Sequence, residues 1–290
     1  MQDSPFELNH PSAYERWRDT KLTETPAPPA DPVVVRDLCH PSPAEQAALR
    51  DRCRRGNWAL YVTQGESASS KHCLREFGAQ FGLIQLDHNR GTDDDAVTSL
   101  TVQTGDYHRI YIPYTNRAIA WHTDGYYNSP DRQIRALLLH SVQPAASGGE
   151  NDLLDHEILY LLLRDQNPEH IRALMHPEAM TIPPNQSNGE TLRGAETGPV
   201  FSVGCDGRLH MRYTRRQRNI LWRDDVTMRA AVAALEAILD SPTPWHFRGR
   251  LEAGWGLLAN NVLHTRHGFQ DGGVPRLLYR ARYLERIAGT

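Results

Sequence analysis

His122 and Asp124 lie two residues apart in Trp121-His122-Thr123-Asp124, and His264 follows 140 residues after Asp124. On a strand, residues two apart point to the same side, so an imidazole nitrogen and a carboxylate oxygen can reach one metal ion together. A third ligand, His264, would close one face of an octahedral ferrous ion and leave the opposite positions free. That is the two-histidine, one-carboxylate set of non-haem iron chemistry. The His-x-Asp pair alone says little, since a chain with 14 histidines supplies one by chance. His267 competes with His264 for the third place. On a strand the two face opposite sides, so both cannot serve.

Elements able to hold these residues are legible along the chain. Residues 1–33 read as a polar N-terminal arm, stiffened by the proline-rich run from Thr25 to Pro32, and 34–290 as a single domain. Ser42-Pro43-Ala44-Glu45 is a capping box with Pro in the first helical position; it predicts a helix to about Arg55, stopped by Gly56. A buried strand is expected over 58–62, a helix over 70–81, and strands over 97–103 and 109–114. The metal motif occupies 118–124, and an apolar strand covers 135–142. Asp155 caps a helix over 156–165, and 168–175 is a short helix. Residues 200–203 and 209–213, joined through Asp206-Gly207, form a hairpin. Asp224 or Asp225 starts a helix through Leu239, and strands follow over 245–251, 255–259 and 277–284. This pattern, without βαβ alternation, indicates a mixed α+β, strand-rich domain.

Hydrophobic residues make up 39% of the 290 and charged residues 23%, a globular composition. No apolar run approaches the roughly 20 residues of a membrane-spanning helix, and the N-terminus has neither the basic region nor the apolar core of a signal peptide. Cys39, Cys53, Cys73 and Cys205 are widely spaced and form no CxxC. They read as reduced thiols, which suits ferrous iron and makes the cytoplasm the expected location. A net charge of −3 argues against a nucleic-acid or anionic-membrane partner.

Four motifs in order resemble the taurine dioxygenase-like family of Fe(II)/2-oxoglutarate dioxygenases. They are Trp121 to Asp124, Gly148-Gly149-Glu150-Asn151, Asn261-Val262-Leu263-His264, and Arg276-x-x-x-Arg280, whose arginines stand 12 and 16 residues after His264. The resemblance implies a double-stranded β-helix (jelly roll, cupin-like) core with flanking helices. It implies Fe(II) held by His122, Asp124 and His264, with 2-oxoglutarate and O2 as co-substrates. Arg276 would bind the far carboxylate of 2-oxoglutarate through its planar fork. Asn151, where the family usually has threonine, would add a neutral hydrogen bond. Arg280 would meet an anionic group on the substrate. The activity implied is hydroxylation, or desaturation, of a small polar anionic metabolite such as an amino acid or sulfonate, with release of succinate and CO2. The family leaves the oligomeric state open, a homo-oligomer included. A carboxylate at Asp124 occupies the place a halide would need, so halogenation is not expected.

Rival readings remain at this level. A cupin-type metal-dependent hydrolase or isomerase, or a non-catalytic binding protein, would use the same fold. Arg276, Arg280 and Arg282 share a strand face and could be a salt-bridged edge. The basic stretch from Arg212 to Arg218 either draws an anion to the pocket mouth or is a solvated loop. Residues 185–197 are a substrate lid or a surface loop, and Tyr126 and Tyr127 are pocket walls or ordinary sheet aromatics.

Overall fold

The computed structural model describes residues 4–25, 27, 31–88, 93, 95–103, 111–187, 190–216 and 220–290. Its helices begin where short-range signals place them, with one exception. That exception is α1 (Pro11–Glu24), inside the stretch expected to be an extended arm. Pro11 sits at its first position, which suits a residue with no N–H to donate. Tyr14 of α1 is buried in the core, and Lys21 is buried with its Nζ 2.6 Å from both Asp155 Oδ2 and Glu157 Oε2. A buried ammonium needs paired carboxylates. Glu157 is 136 positions away, so nothing local announces the contact.

In α2 (Pro43–Gly56) both halves of the capping box form: Ser42 Oγ accepts the Glu45 N–H, and Glu45 accepts the Ser42 N–H. Asn57, with φ 62°, ends the helix rather than Gly56. Ser70 caps α3 (Lys71–Ala79), Asp155 caps α4 (His156–Gln166), Asn167 caps α5 (Pro168–Leu174) and Asp225 caps α6 (Val226–Asp240). Each does so by accepting a first-turn N–H.

Before α4 come β1 (Val33–Val34), β2 (Trp58–Val62), β3 (Thr98–Leu100), β4 (Ile119–His122), β5 (Ala136–Gln143), β6 (Ser147–Gly148) and β7 (Asn151–Leu154). Between α5 and α6 lie β8 (Met180–Ile182), β9 (Asn185–Ser187), β10 (Glu190–Arg193), β11 (Glu196–Gly198), β12 (Phe201–Val203), β13 (Leu209–Met211) and β14 (Leu221–Trp222). After α6 follow β15 (Phe247–Gly249), β16 (Trp255–Ala259), β17 (Leu263–Arg266), β18 (Phe269–Gln270) and β19 (Leu277–Tyr283). Two sheets dominate, one ordered β1-β2-β16-β5-β19-β3 and the other β15-β7-β17-β4.

Alternation along β5 shows how the sheets are layered. Ala136 and Leu138 face a cluster shared with Leu49 of α2 and Phe77 of α3. Leu137 and Leu139 face a second cluster that also takes Leu153 of β7 and Leu257 of β16. That cluster draws on both sheets, so they pack face to face through it. The other face of the smaller sheet, through Trp121, Leu154 and Leu263, packs on α1, α4, α5 and α6. Burial of both faces is why 136–139 is apolar without alternation. The result is a mixed α+β fold of two sheets flanked by helices, with no closed barrel among the described residues.

Three expectations need correction. Residues 112–114, expected in a strand, form a 3-10 turn in which Pro113 cannot donate to a ladder; residues 109 and 110 lie outside the described residues. The strands expected over 97–103 and 245–251 shorten to β3 and β15. Cys39 and Cys73 form a disulfide, leaving Cys53, buried, and Cys205, exposed, as free thiols. Leu38 and Leu74, each beside one of these cysteines, enter the same core cluster. That packing joins residues 34 positions apart. The bond removes the cysteine argument for a reducing compartment. Among the described residues no helix is long and apolar enough to cross a membrane.

Candidate metal centre and its arginines

Strand β17 runs between β4 and β7, with His264 directly opposite His122. Opposed residues share a face, and the two rings lie 4.1 Å apart, centre to centre. One device orients both rings. Nδ1 of His122 is 2.9 Å from the Ala120 carbonyl, and Nδ1 of His264 is 2.9 Å from the Val262 carbonyl. A carbonyl only accepts, so Nδ1 carries the proton and Nε2 keeps its lone pair.

Asp124 stands past the end of β4, in a turn that needs Gly125. The φ of Gly125 is 66°, and a Cβ there would come within 2.3 Å of Ile134 Cγ1. This turn brings Asp124 Oδ1 to 3.7 Å from His122 Nε2. Ligand atoms of His122, Asp124 and His264 all lie within 4.8 Å of one another.

Electrostatics favour the metal-binding protonation states. Burial, aided by His264, pushes the His122 pKa down to about 3, and burial lowers His264 as well. Burial alone would raise Asp124, but the Arg280 guanidinium, then Arg282, holds it below the usual carboxylate range. Its Oδ2 is buried without a hydrogen bond, 3.4 Å from Arg280 Nη1. Two neutral imidazoles with free Nε2 and one anionic carboxylate fit a ferrous ion.

Arg280 and Arg282 alternate with Ala281 and Tyr283, which are buried in the cluster shared with α2 and α3, on β19, which lies between β5 and β3 and is no edge. Arg282 donates to Tyr127 Oη at 3.0 Å and to Asp87, which also accepts from Arg132 at 2.8 Å. Arg276, just before β19, is buried, with its guanidinium carbon 5.0 Å from the centre of the Phe269 ring. Arg266, also buried, contacts the same ring at 5.1 Å. Burial lowers the pKa of Arg276 to about 10. Burial, with repulsion from Arg276 and Arg280, lowers Arg266 to about 9. Both remain cations at neutral pH. Among the described residues neither forms an ion pair with a carboxylate.

Other candidates take up different positions. His267 turns away from the triad, its Nε2 2.8 Å from Asp152 Oδ2. Asn151 spends one amide proton on the Thr265 carbonyl at 2.7 Å, tying β7 to β17. Gly148 (φ 70°) sits so close to Gly268 that a Cβ would meet its carbonyl at 2.3 Å. Glycine there lets β6 pair with β18, which carries Phe269. Arg212 is buried and bonds the carbonyls of Met180, Glu196, Gly198 and Pro199, while Arg215 pairs with Asp240. Both are engaged within the fold, so for them neither the anion-drawing nor the solvated-loop reading describes the observed contacts, and Arg218 lies outside the described residues. Residues 185–187 and 190–193 pair as a hairpin, and Arg193 stacks over the Tyr127 ring at 5.8 Å. Sequence reasoning missed Arg266 and Asp87. Arg266 carried a usable signal: it is a charged residue two positions from His264 on one strand.

The family model described as "Taurine catabolism dioxygenase TauD, TfdA family" matches residues 20–282. A Streptomyces sp protein named uridine-5'-phosphate dioxygenase is 30% identical over 240 residues, spanning 77% of this chain and 85% of its own. An Amycolatopsis sp protein of the same name is 30% identical over 176 residues, spanning 57% and 60%. Among solved structures, the non-heme iron oxygenase OrfP in complex with Fe, succinate and (3S)-hydroxy-L-Arg aligns with a TM-score of 0.61. It is 19% identical and covers 85% of this chain and 81% of its own. An asparagine oxygenase in complex with Fe(II), 2S,3S-3-hydroxyasparagine and succinate aligns at 0.58 and 13% identity, covering 98% and 86%. At these identities the structural likeness establishes a shared fold.

Proposed function

The chain belongs to the TauD/TfdA family of Fe(II)/2-oxoglutarate-dependent dioxygenases, and from that premise we propose that His122, Asp124 and His264 hold its iron. Membership sets aside the hydrolase and non-catalytic readings. We read the two facing sheets as the double-stranded β-helix, or jelly roll, of that family. One observation carries the site assignment: three ligand atoms within 4.8 Å of one another, beside inward-facing arginines.

Bound ferrous iron would supply the site where 2-oxoglutarate and dioxygen react, giving succinate, CO2 and an oxidised product. The chain's own residues prepare that site. Nε2 of His122 and His264 stay unprotonated, and Arg280 and Arg282 keep Asp124 anionic. Arg276 offers a desolvated fork to the far carboxylate of 2-oxoglutarate. Asn151 is the weaker member, because one of its amide protons is already committed. Arg280 would orient an anionic group on the substrate over the metal carboxylate.

The substrate we propose is a small polar anion, hydroxylated or desaturated. Amino acids and sulfonates fit the arginines, and the names of the two relatives add uridine-5'-phosphate. Anaerobic addition of ferrous iron and 2-oxoglutarate should give a weak visible charge-transfer band; its absence in folded protein would sink the reading. Succinate release over nucleotides, amino acids, sulfonates and phosphonates then identifies the substrate.

A further inference from the structure

We infer that Arg266 is a positioning residue for co-substrate recognition, holding the Arg276 guanidinium in place through the Phe269 ring. This rests on the reading of Arg276 given above. Arg266 reaches four carbonyls of a single turn: Ile112 at 3.3 Å, Pro113 at 3.2 Å, Thr115 at 2.7 Å and Arg117 at 2.6 Å. The same turn accepts the Phe269 N–H through Asn116 O at 3.1 Å. Phe269 is fixed again by its register with Gly148. Turn, Arg266 and Phe269 are therefore one tied unit, and Arg276 leans on it.

Little else fixes Arg276. Among the described residues its side chain makes no hydrogen bond. Asp271 accepts only its backbone N–H, at 2.8 Å. The Phe269 ring lies 5.0 Å from the guanidinium carbon, and the Asp271 carboxylate attracts the cation without pairing with it. Arg266 carries its charge into a buried place where carbonyls partner it and, among the described residues, no carboxylate does. Arg266 Nε is even left buried without a partner. Its charge has a use beside Arg276: a second buried cation raises the potential that an incoming carboxylate meets.

The test compares two ligands of iron-loaded, anaerobic protein. 2-Oxoglutarate carries the far carboxylate, and 2-oxopentanoate has the same chain length without it. Dissociation constants are read from the charge-transfer band or by calorimetry, for the unaltered chain, Arg266→Met and Phe269→Leu. We expect both variants to lose about 10–100-fold in affinity for 2-oxoglutarate, taking as guide the loss typical when groups that orient metal ligands are removed. Binding of 2-oxopentanoate should not change. Equal losses for both ligands, or unchanged preference, would overturn the inference. If Arg266→Met does not fold, Phe269→Leu decides alone. An unaltered chain with no preference for 2-oxoglutarate would instead refute the role of Arg276.

Discussion

Asn261 clasps the peptide unit of Asp124 from both ends. Its Oδ1 accepts the Asp124 N–H at 2.8 Å, and its Nδ2 donates to the Asp124 carbonyl at 2.9 Å and to Ile134 O at 2.6 Å. Both partner residues, Asp124 and Ile134, are buried, and Asn261 itself has φ 49°, a conformation asparagine tolerates better than most residues. Position 261, three residues before His264, thus sets the turn that aims the carboxylate. Asn261→Ala should weaken ferrous binding by about 10–100-fold while the fold persists. Equilibrium dialysis with ferrous ion measures this, and unchanged affinity would show that the clasp does not tune the metal.

Alanine at His122, Asp124 or His264 should abolish stoichiometric ferrous binding, while His267→Ala should retain it. His267 is engaged with Asp152 on the far side of β17. Iron kept in His264→Ala and lost in His267→Ala would reverse the assignment.

Arg276→Ala should leave iron bound but raise the 2-oxoglutarate requirement roughly 30- to several-thousand-fold, as for loss of one partner in a buried charge pair. Arg280→Ala should stop substrate-coupled turnover while uncoupled consumption of 2-oxoglutarate continues. Arg280→Lys should recover little, because an ammonium lacks the planar fork. Equal loss of coupled and uncoupled succinate release would assign Arg280 to Asp124, its 3.4 Å neighbour, instead of to substrate.

Lys21 should matter more to stability than its place in an N-terminal helix suggests. Burial alone would raise Glu157, but Lys21 reverses this and holds it at about 2, below the roughly 4.3 of an unfolded glutamate. A depressed carboxyl pKa stabilises the fold above the unfolded value, and that contribution fades as pH falls from about 4 to about 2. Lys21→Met removes the ammonium that pairs with both buried carboxylates, Asp155 and Glu157, which should cost about 3–5 kcal/mol at neutral pH. In the variant Glu157 takes up a proton more readily, so the gap to the unaltered chain should narrow on acidification. Urea unfolding across pH checks this; a pH-independent gap would refute it.

Reduction of Cys39–Cys73 should lower stability by about 2–4 kcal/mol, typical for a loop of this size. Thermal unfolding with and without reductant measures it. Alkylation of the denatured, unreduced chain should count two thiols, Cys53 and Cys205. Four would contradict the bond.

By itself the sequence determined what short-range physics controls. Ser42, Ser70, Asp155 and Asp225 start helices because a cap needs only its own first turn. Asp206-Gly207 turns a hairpin for the same kind of reason. The candidate ligands His122, Asp124 and His264 were legible because donor chemistry and motif order survive in one dimension, although Asp124 reaches the site from the Gly125 turn past β4 and not from the strand itself. Only the tertiary structure decided the rest. It turned an expected arm into α1, because Lys21 finds its carboxylates 134 and 136 positions away. It joined Cys39 to Cys73 through packing on a common core. It also brought Arg266, Phe269 and Arg276 around one ring, tied to a turn some 150 residues earlier. Such contacts depend on which surfaces bury one another, and no local pattern encodes that choice.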